Sequence, residues 1–218
     1  MTTRVFFVRH GATVLSAEDR FAGSVDVALS EDGKAQAEAL GRRLADEPIA
    51  AAYASSMSRA RDTAELILGG RLHVAPDPAL REIDHGRWEG KSRGDVEAAW
   101  PDEYTRWERD PFTFAPEGGE TGLAVVARAL PAFLSIVERH KSASVLVVSH
   151  KATIRLVIGT LLGVELRGYR DRLDMSPCGL SILDVKPGAL ARLVLYNDVS
   201  HYATLPGPSG KRLSPWWA

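Results

Sequence analysis

Arg9, His10 and Gly11 follow directly on the apolar run Val5-Phe6-Phe7-Val8, so two polar side chains stand where a strand-forming segment ends. An imidazole can act as nucleophile, base or metal ligand. The guanidinium beside it favours an anion and disfavours a metal cation. Gly11 lets a ligand approach the backbone closely. Taken alone, the triplet is equally well read as an arginine and a histidine that merely end a strand.

His150 shifts that balance. It closes a second apolar run, Val147-Val148-Ser149-His150, just before a helix-forming segment. Helix N-termini bind anions through their free N–H groups and dipole, so two histidines at strand ends suit a phosphate. Arg59 adds a second guanidinium near the start of the helix in Ser55 to Ala64. A first-turn arginine is commonly just solvated. Its charge is nevertheless unfavourable at that helix end, and an anionic ligand would offset the cost. The stretch Leu80 to Gly90 places carboxylates beside aromatics. A desolvated carboxyl there can hold a proton and give it to a leaving group. Glu82 is the preferred acid, with Asp84 and Glu89 as rivals. Each of them alone reads as a surface acid in a loop.

The elements that must position these groups follow from pattern. Val5–Val8, Ile49–Ala54 and Ser144–Ser149 read as buried strands, and Leu72–Ala75 as a weaker one. Ser30 caps a helix with Glu31 and Asp32 in its first turn, and Pro48 closes that segment. Met57, Ala60, Ala64 and Ile67 mark one face of a second helix, stopped at Gly69-Gly70. Glu120–His140 is a long helix with the stripe Val126, Ala129, Leu130, Phe133, Ile136 and Val137, and a helix runs from Thr153 to Leu162. Leu180–Val185 and Leu190–Leu195 form a closing hairpin. Residues 76–119, with Trp88, Trp100, Tyr104, Trp107, Phe112 and Phe114, read as an insertion of short helices and loops. The expectation is a single α/β domain over 1–218, a three-layer sandwich with a mostly parallel sheet and an irregular tail from about 203. Ligands in such sheets sit outside the carboxyl ends of the strands, where His10 and His150 lie.

Composition sets the outer bounds. The chain has 218 residues, with 27 Lys plus Arg against 28 Asp plus Glu, a net charge of −1. That balance argues against a dedicated nucleic-acid binder. A hydrophobic fraction of 45% with 25% charged residues is ordinary globular composition. Cys178 is the single cysteine, which excludes an internal disulfide and a thiol cluster for zinc. No apolar run approaches the roughly 18–20 residues of a membrane span. Met1–Gly11 lacks the length and cleavage site of a signal peptide, so the expected compartment is the cytoplasm.

The ordered set resembles the histidine phosphatase superfamily, the phosphoglycerate mutase-like proteins. Arg9-His10-Gly11 matches the family's Arg-His-Gly signature, with Thr13 at its usual next hydroxyl. Arg20-Phe21-Ala22-Gly23, with Asp26, Leu29, Ser30 and Gly33, is similar to the segment that follows. Ser55–Ala64 resembles the block of the second arginine, and Glu82 with Gly86, Trp88, Glu89 and Gly90 the proton-donor block. Val148-Ser149-His150 with Ile154-Arg155 resembles the second-histidine block, and Asn197-Asp198 with His201 a C-terminal strand pattern. The resemblance runs from about Val5 to His201; four blocks in order make it specific.

The resemblance implies a mechanism. Neutral His10 attacks phosphorus in line, Arg9, Arg59 and His150 neutralise the equatorial oxygens, and Glu82 protonates the leaving oxygen. Water then hydrolyses the phosphohistidine with Glu82 as base. No metal and no cofactor is implied, because arginines take the place of a Mg²⁺ clamp. The implied phosphate-binding set is Arg9, Gly11, Ser16, Gly23, Arg59, His150 and Lys151. Ser16 stands where the family often has asparagine, which shortens or removes one phosphate contact. Lys151 stands where it often has glycine; it adds positive charge to the pocket or, as is the default for lysine, points to solvent.

The short insertion and the Trp88-Glu89-Gly90 form resemble the phosphatase branch acting on a small phosphorylated metabolite. A phosphoglycerate-type mutase is the alternative, and a non-catalytic phospho-ligand or phosphoprotein binding module a second one. Arg87, Lys91, Arg93, Arg106 and Arg109 could meet a second acidic group or form a solvated basic face. His73, His85 and His140 have no paired ligand spacing. Asp198 and His201 read as structural, and Cys178 as a buried small hydrophobe. Trp216-Trp217 packs back on the domain or sits in a subunit contact. A homodimer is the default oligomer.

Overall fold

A computed structural model describes residues 1–14 and 20–202 of the chain. Ser16 and Trp216-Trp217 lie outside the described residues. Six strands form one sheet: β1 (Thr3–Arg9), β2 (Ile49–Ser55), β3 (Val74–Asp77), β4 (Ser144–Ser149), β5 (Leu180–Lys186) and β6 (Leu190–Asp198). Their order is β3-β2-β4-β1-β5-β6. The first four are mutually parallel, and β5 runs antiparallel to β1 and to β6. The expected hairpin is therefore the mixed edge of a mostly parallel sheet.

Strand periodicity sorts the core into two layers. Val5, Phe7, Val145 and Val147 face one side, where α5 (Gly122–Arg139) and α6 (Lys151–Leu162) cover them. Phe6, Val8, Leu146 and Val148 face the other, under α1 (Glu31–Arg43) and α2 (Ser58–Leu68). Ser30 caps α1 by accepting from Gly33 N, with Glu31 and Asp32 in the first turn. α2 ends on Gly69 in the left-handed region, at φ 55°.

Three details differ from the sequence expectations. β3 lies two residues later than Leu72–Ala75 and takes in Pro76 and Asp77, so the insertion opens after it. Val125 belongs to the buried face of α5, whereas Val126 and Leu130 are only partly buried, because α5 also packs sideways on its neighbours. α6 begins at Lys151 rather than Thr153, which makes His150 its N-cap residue.

The insertion holds α3 (Arg93–Ala99) and α4 (Pro101–Arg109), and a short α7 (Tyr169–Arg172) follows α6. The insertion has its own core of Phe21, Trp88, Val96, Tyr104 and Trp107. Among the described residues, no helix is long and apolar enough to cross a membrane.

Candidate active site

The parallel register of β1 and β4 sets Arg9 beside Ser149. His10 and His150 therefore leave adjacent strands at the same height, with ring centroids 5.1 Å apart. The two imidazoles hold opposite tautomers. His10 Nδ1 lies 2.7 Å from the carbonyl oxygen of Gly11. A carbonyl only accepts, so Nδ1 carries the proton and the Nε2 lone pair is left for chemistry. His150 Nδ1 accepts instead, from Arg59 Nε at 3.3 Å. Its Nε2 then carries the proton, and that buried atom has no partner among the described residues. Burial, then the charges of Arg9 and Arg59, push His10 well below the usual histidine value. Burial also lowers His150, helped by its charged neighbours. Both rings are neutral at pH 7, one with a lone pair to give and one with an N–H to offer.

Arg59 is 2% exposed, not solvated. It donates to Val25 O at 2.7 Å and Gly23 O at 2.8 Å, which ties the loop after Phe21 to the site and orients His150. Arg9 donates to Met175 O at 2.6 Å, while its buried Nε has no partner among the described residues. Burial lowers the Arg9 guanidinium to about 10, so it stays charged near neutrality.

Of the three candidate carboxylates, only Glu82 lines the cleft. The start of α6 holds it: Oε2 accepts from Ala152 N at 3.1 Å, and Oε1 from Thr153 N at 3.2 Å and Ile83 N at 3.0 Å. Arg128 of α5 braces the segment by donating to the carbonyls of Ala79, Arg81 and Glu82. Asp84 accepts from Gly86 N at 2.7 Å and shapes the turn. Glu89 accepts from Gly23 N, Ser24 N and His85 N and so fastens two loops together.

Gly11 and Gly23 sit where two backbones meet. Neither Gly11 nor Gly23 lines the cleft. A Cβ on Gly11 would sit 2.5 Å from Gly33 O, and one on Gly23 1.9 Å from Ile83 O. Each lets two backbones touch.

The cleft has about 970 Å³ of empty space, part of it open solvent. Seven cationic side chains line it (Arg9, Arg20, Arg59, Arg93, Lys151, Arg155 and Arg170), and among its described lining residues Glu82 is the one carboxylate. Lys151 thus turns to the cleft rather than to bulk solvent. Of the basic residues of the insertion, only Arg93 lines it. Arg87 pairs with Glu103 and Glu117, while Lys91 lies over the Trp100 ring and Arg106 over Phe114. His85 and Trp107, to which the sequence assigns no site role, and Tyr169 and Arg170, which it does not single out, also line the cleft. Arg155 was noted only as part of a pattern; its four-residue spacing from Lys151 was the available signal. Asp198 pairs with Arg43, His140 bonds Tyr53, and Cys178 is buried. Among the described residues, no cluster of three or more His, Cys, Asp or Glu could hold a metal ion.

Comparison with known proteins identifies the family and the fold. The model of the histidine phosphatase superfamily (branch 1) matches residues 5–199. A probable 2-carboxy-D-arabinitol-1-phosphatase of Arabidopsis thaliana is 33% identical over 190 residues, 86% of this chain but 39% of that protein. The chain thus spans about two fifths of the length of that relative. A 2,3-bisphosphoglycerate-dependent phosphoglycerate mutase 2 of Gloeobacter violaceus is 34% identical over 157 residues, 69% of this chain and 72% of that one. The solved structure of YhfR from Bacillus stearothermophilus superposes with a TM-score of 0.86 at 34% identity, covering 91% of this chain and 98% of its own.

Proposed function

The chain belongs to the histidine phosphatase superfamily (branch 1), and on that premise we propose that it hydrolyses a small phosphomonoester through a phosphohistidine on His10. The carrying observation is the pair of neutral imidazoles of opposite tautomer, His10 lining a cationic cleft and His150 fully buried beside it. His10 Nε2 attacks phosphorus, and the bond from phosphorus to the ester oxygen breaks. Glu82 gives its proton to that oxygen, and the alcohol leaves. A water then attacks phosphorus. Its proton passes to the Glu82 carboxylate, the bond from phosphorus to nitrogen breaks, and inorganic phosphate departs.

Arg9, Arg59 and the His150 N–H meet the equatorial oxygens, where transition-state charge gathers; such positioned donors are typically worth roughly 2.7–4 kcal/mol each. These fixed charges do the work of a metal clamp, so turnover is expected to survive a chelator. Hydrolysis is favoured over mutase action because a mutase must keep water from its phosphoenzyme. The cleft, as its described residues line it, is open to solvent.

The test is a panel of phosphomonoesters assayed with chelator present, together with acid-quench trapping of phosphoprotein. Wild type should release phosphate and give an acid-labile adduct, and His10→Ala should do neither. Near-normal phosphate release by His10→Ala would overturn the reading. Phosphoryl transfer to an acceptor that outpaces phosphate release would assign the mutase activity instead.

A further inference from the structure

We propose that Lys151 and Arg155 form a second anion subsite that reads a carboxylate on the alcohol portion of the substrate, selecting phosphorylated acids over neutral phosphate esters. The proposal rests on the phosphomonoesterase reading above and names the substrate class of that site.

Lys151 and Arg155 stand four residues apart on α6, hence on one face, and both line the cleft. The next two backbone N–H groups of the helix, Ala152 and Thr153, are already given to Glu82. The start of α6 therefore holds the acid through its backbone and presents cations through its side chains. A cation in the first turn of a helix opposes the dipole, so Lys151 is not there for helix stability.

Among the described residues Lys151 is unmatched and Arg155 is matched only in part. The Lys151 side chain makes no hydrogen bond or ion pair with any described residue. Arg155 is 6% exposed, and its Nε has no partner among the described residues. Its ion-pair partner, Asp174, is 3.7 Å away and 69% exposed. The charged groups that act on Lys151 are Arg9 from β1, Arg93 from α3 and Arg155 from its own helix, with Asp174 as the acid. Burial first, and then the arginines, pull its ammonium down to about 7. Buried cations that are incompletely compensated are costly, and an anion placed between them lowers the cost.

Arg9, Arg59 and His150 already serve the transferring phosphoryl group. Lys151 and Arg155, with the exposed Asp174 as their acid and Arg93 nearby, keep a net positive charge, and a carboxylate is the smallest anionic group on an alcohol portion that answers it.

The test uses 3-phosphoglycerate and glycerol 3-phosphate, which differ in a carboxylate against a hydroxymethyl group. The readout is the ratio of their kcat/KM values. Wild type should favour the acid. Lys151→Met should lower the ratio at least about tenfold, mainly through KM, and Lys151→Arg should keep most of it. In wild type the ratio should fall from pH 6 to pH 8 as the Lys151 ammonium loses its proton. Both substrates share the phosphate and the histidines, so their titration cancels. In Lys151→Met the ratio should be flat with pH. A ratio unchanged in Lys151→Met, or equal losses on both substrates, would overturn the proposal. If wild type hydrolyses neither compound and forms no phosphoprotein, the hydrolase reading fails by itself. Calorimetric affinities of the two compounds for wild type and Lys151→Met then decide the subsite. A preference for the acid that Lys151→Met removes supports it, and its absence in wild type overturns it.

Discussion

At the residue scale, Arg59 does two things with one guanidinium. Its Nε fixes the tautomer of His150, while its two terminal nitrogens hold the carbonyls of Val25 and Gly23. The residue also lines the cleft. A lysine has the charge but not the planar fork, and cannot reach three acceptors in fixed directions. Arg59→Lys should therefore lower kcat by roughly 10²–10³-fold, the scale of losing a positioned transition-state donor. Steady-state kinetics on any accepted phosphomonoester checks this; a loss under threefold would show that charge alone suffices. Arg59 was legible as a candidate from its type and place near a helix start. The double duty was not, because its acceptors are backbone carbonyls, which every residue has. The same blindness applies to Glu89. As a residue type it rivals Glu82, and only its three backbone donors show that it builds the loops.

At the element scale, the site depends on how loops are fastened to rigid strands and helices. Glu89 accepts from Gly23, Ser24 and His85, so it locks the loop that Arg59 also holds. Glu89→Ala leaves those N–H groups unmet and frees the loop from its anchor. Activity should fall by up to about 10²-fold although the carboxylate lines no part of the cleft, since small misplacements far from the chemistry can cost that much. An activity within twofold of wild type would separate the loop from catalysis. The strands were legible from short apolar runs, and the helix starts from Ser30 and from the apolar spacing after Met57. The start of α6 was placed two residues late, because a Lys-Ala pair carries no cap signal. The error matters, since the true start puts His150 at the N-cap and turns the Ala152 and Thr153 N–H groups toward Glu82.

At the scale of the whole molecule, two apolar layers clamp the sheet whose edge carries the site. Phe133 of α5 is fully buried and stacks on Phe7 of β1, with ring centroids 5.3 Å apart and an interplanar angle of 29°. Phe133→Ala should destabilise the fold by about 3–5 kcal/mol through lost transfer energy and a cavity. For a chain of this size that lowers Tm by roughly 6–20 °C, at about 2–4 °C per kcal/mol. Differential scanning calorimetry reads the shift, and kcat measured well below Tm should stay near wild type. A Tm within 2 °C, roughly, would mean that the layer closes over the gap. The layering itself was legible, because the alternation of Val5, Phe6, Phe7 and Val8 already assigns the residues to opposite faces.

The order of residues was enough to establish the family and the layered α/β class, and to put forward the short set Arg9, His10, Arg59, Glu82 and His150. Those are local facts: side-chain chemistry, spacing along one element, and blocks in sequence order. Three-dimensional packing was needed for everything that depends on pairs distant in the chain. It put Glu82 rather than Asp84 or Glu89 in the cleft wall, made Gly11 and Gly23 points of backbone contact, and brought Lys151 and Arg155 to the same cleft. The reason is physical. Residue type tells which hydrogen bonds and charges a side chain can supply, whereas its neighbours in space determine which of them remain for a ligand.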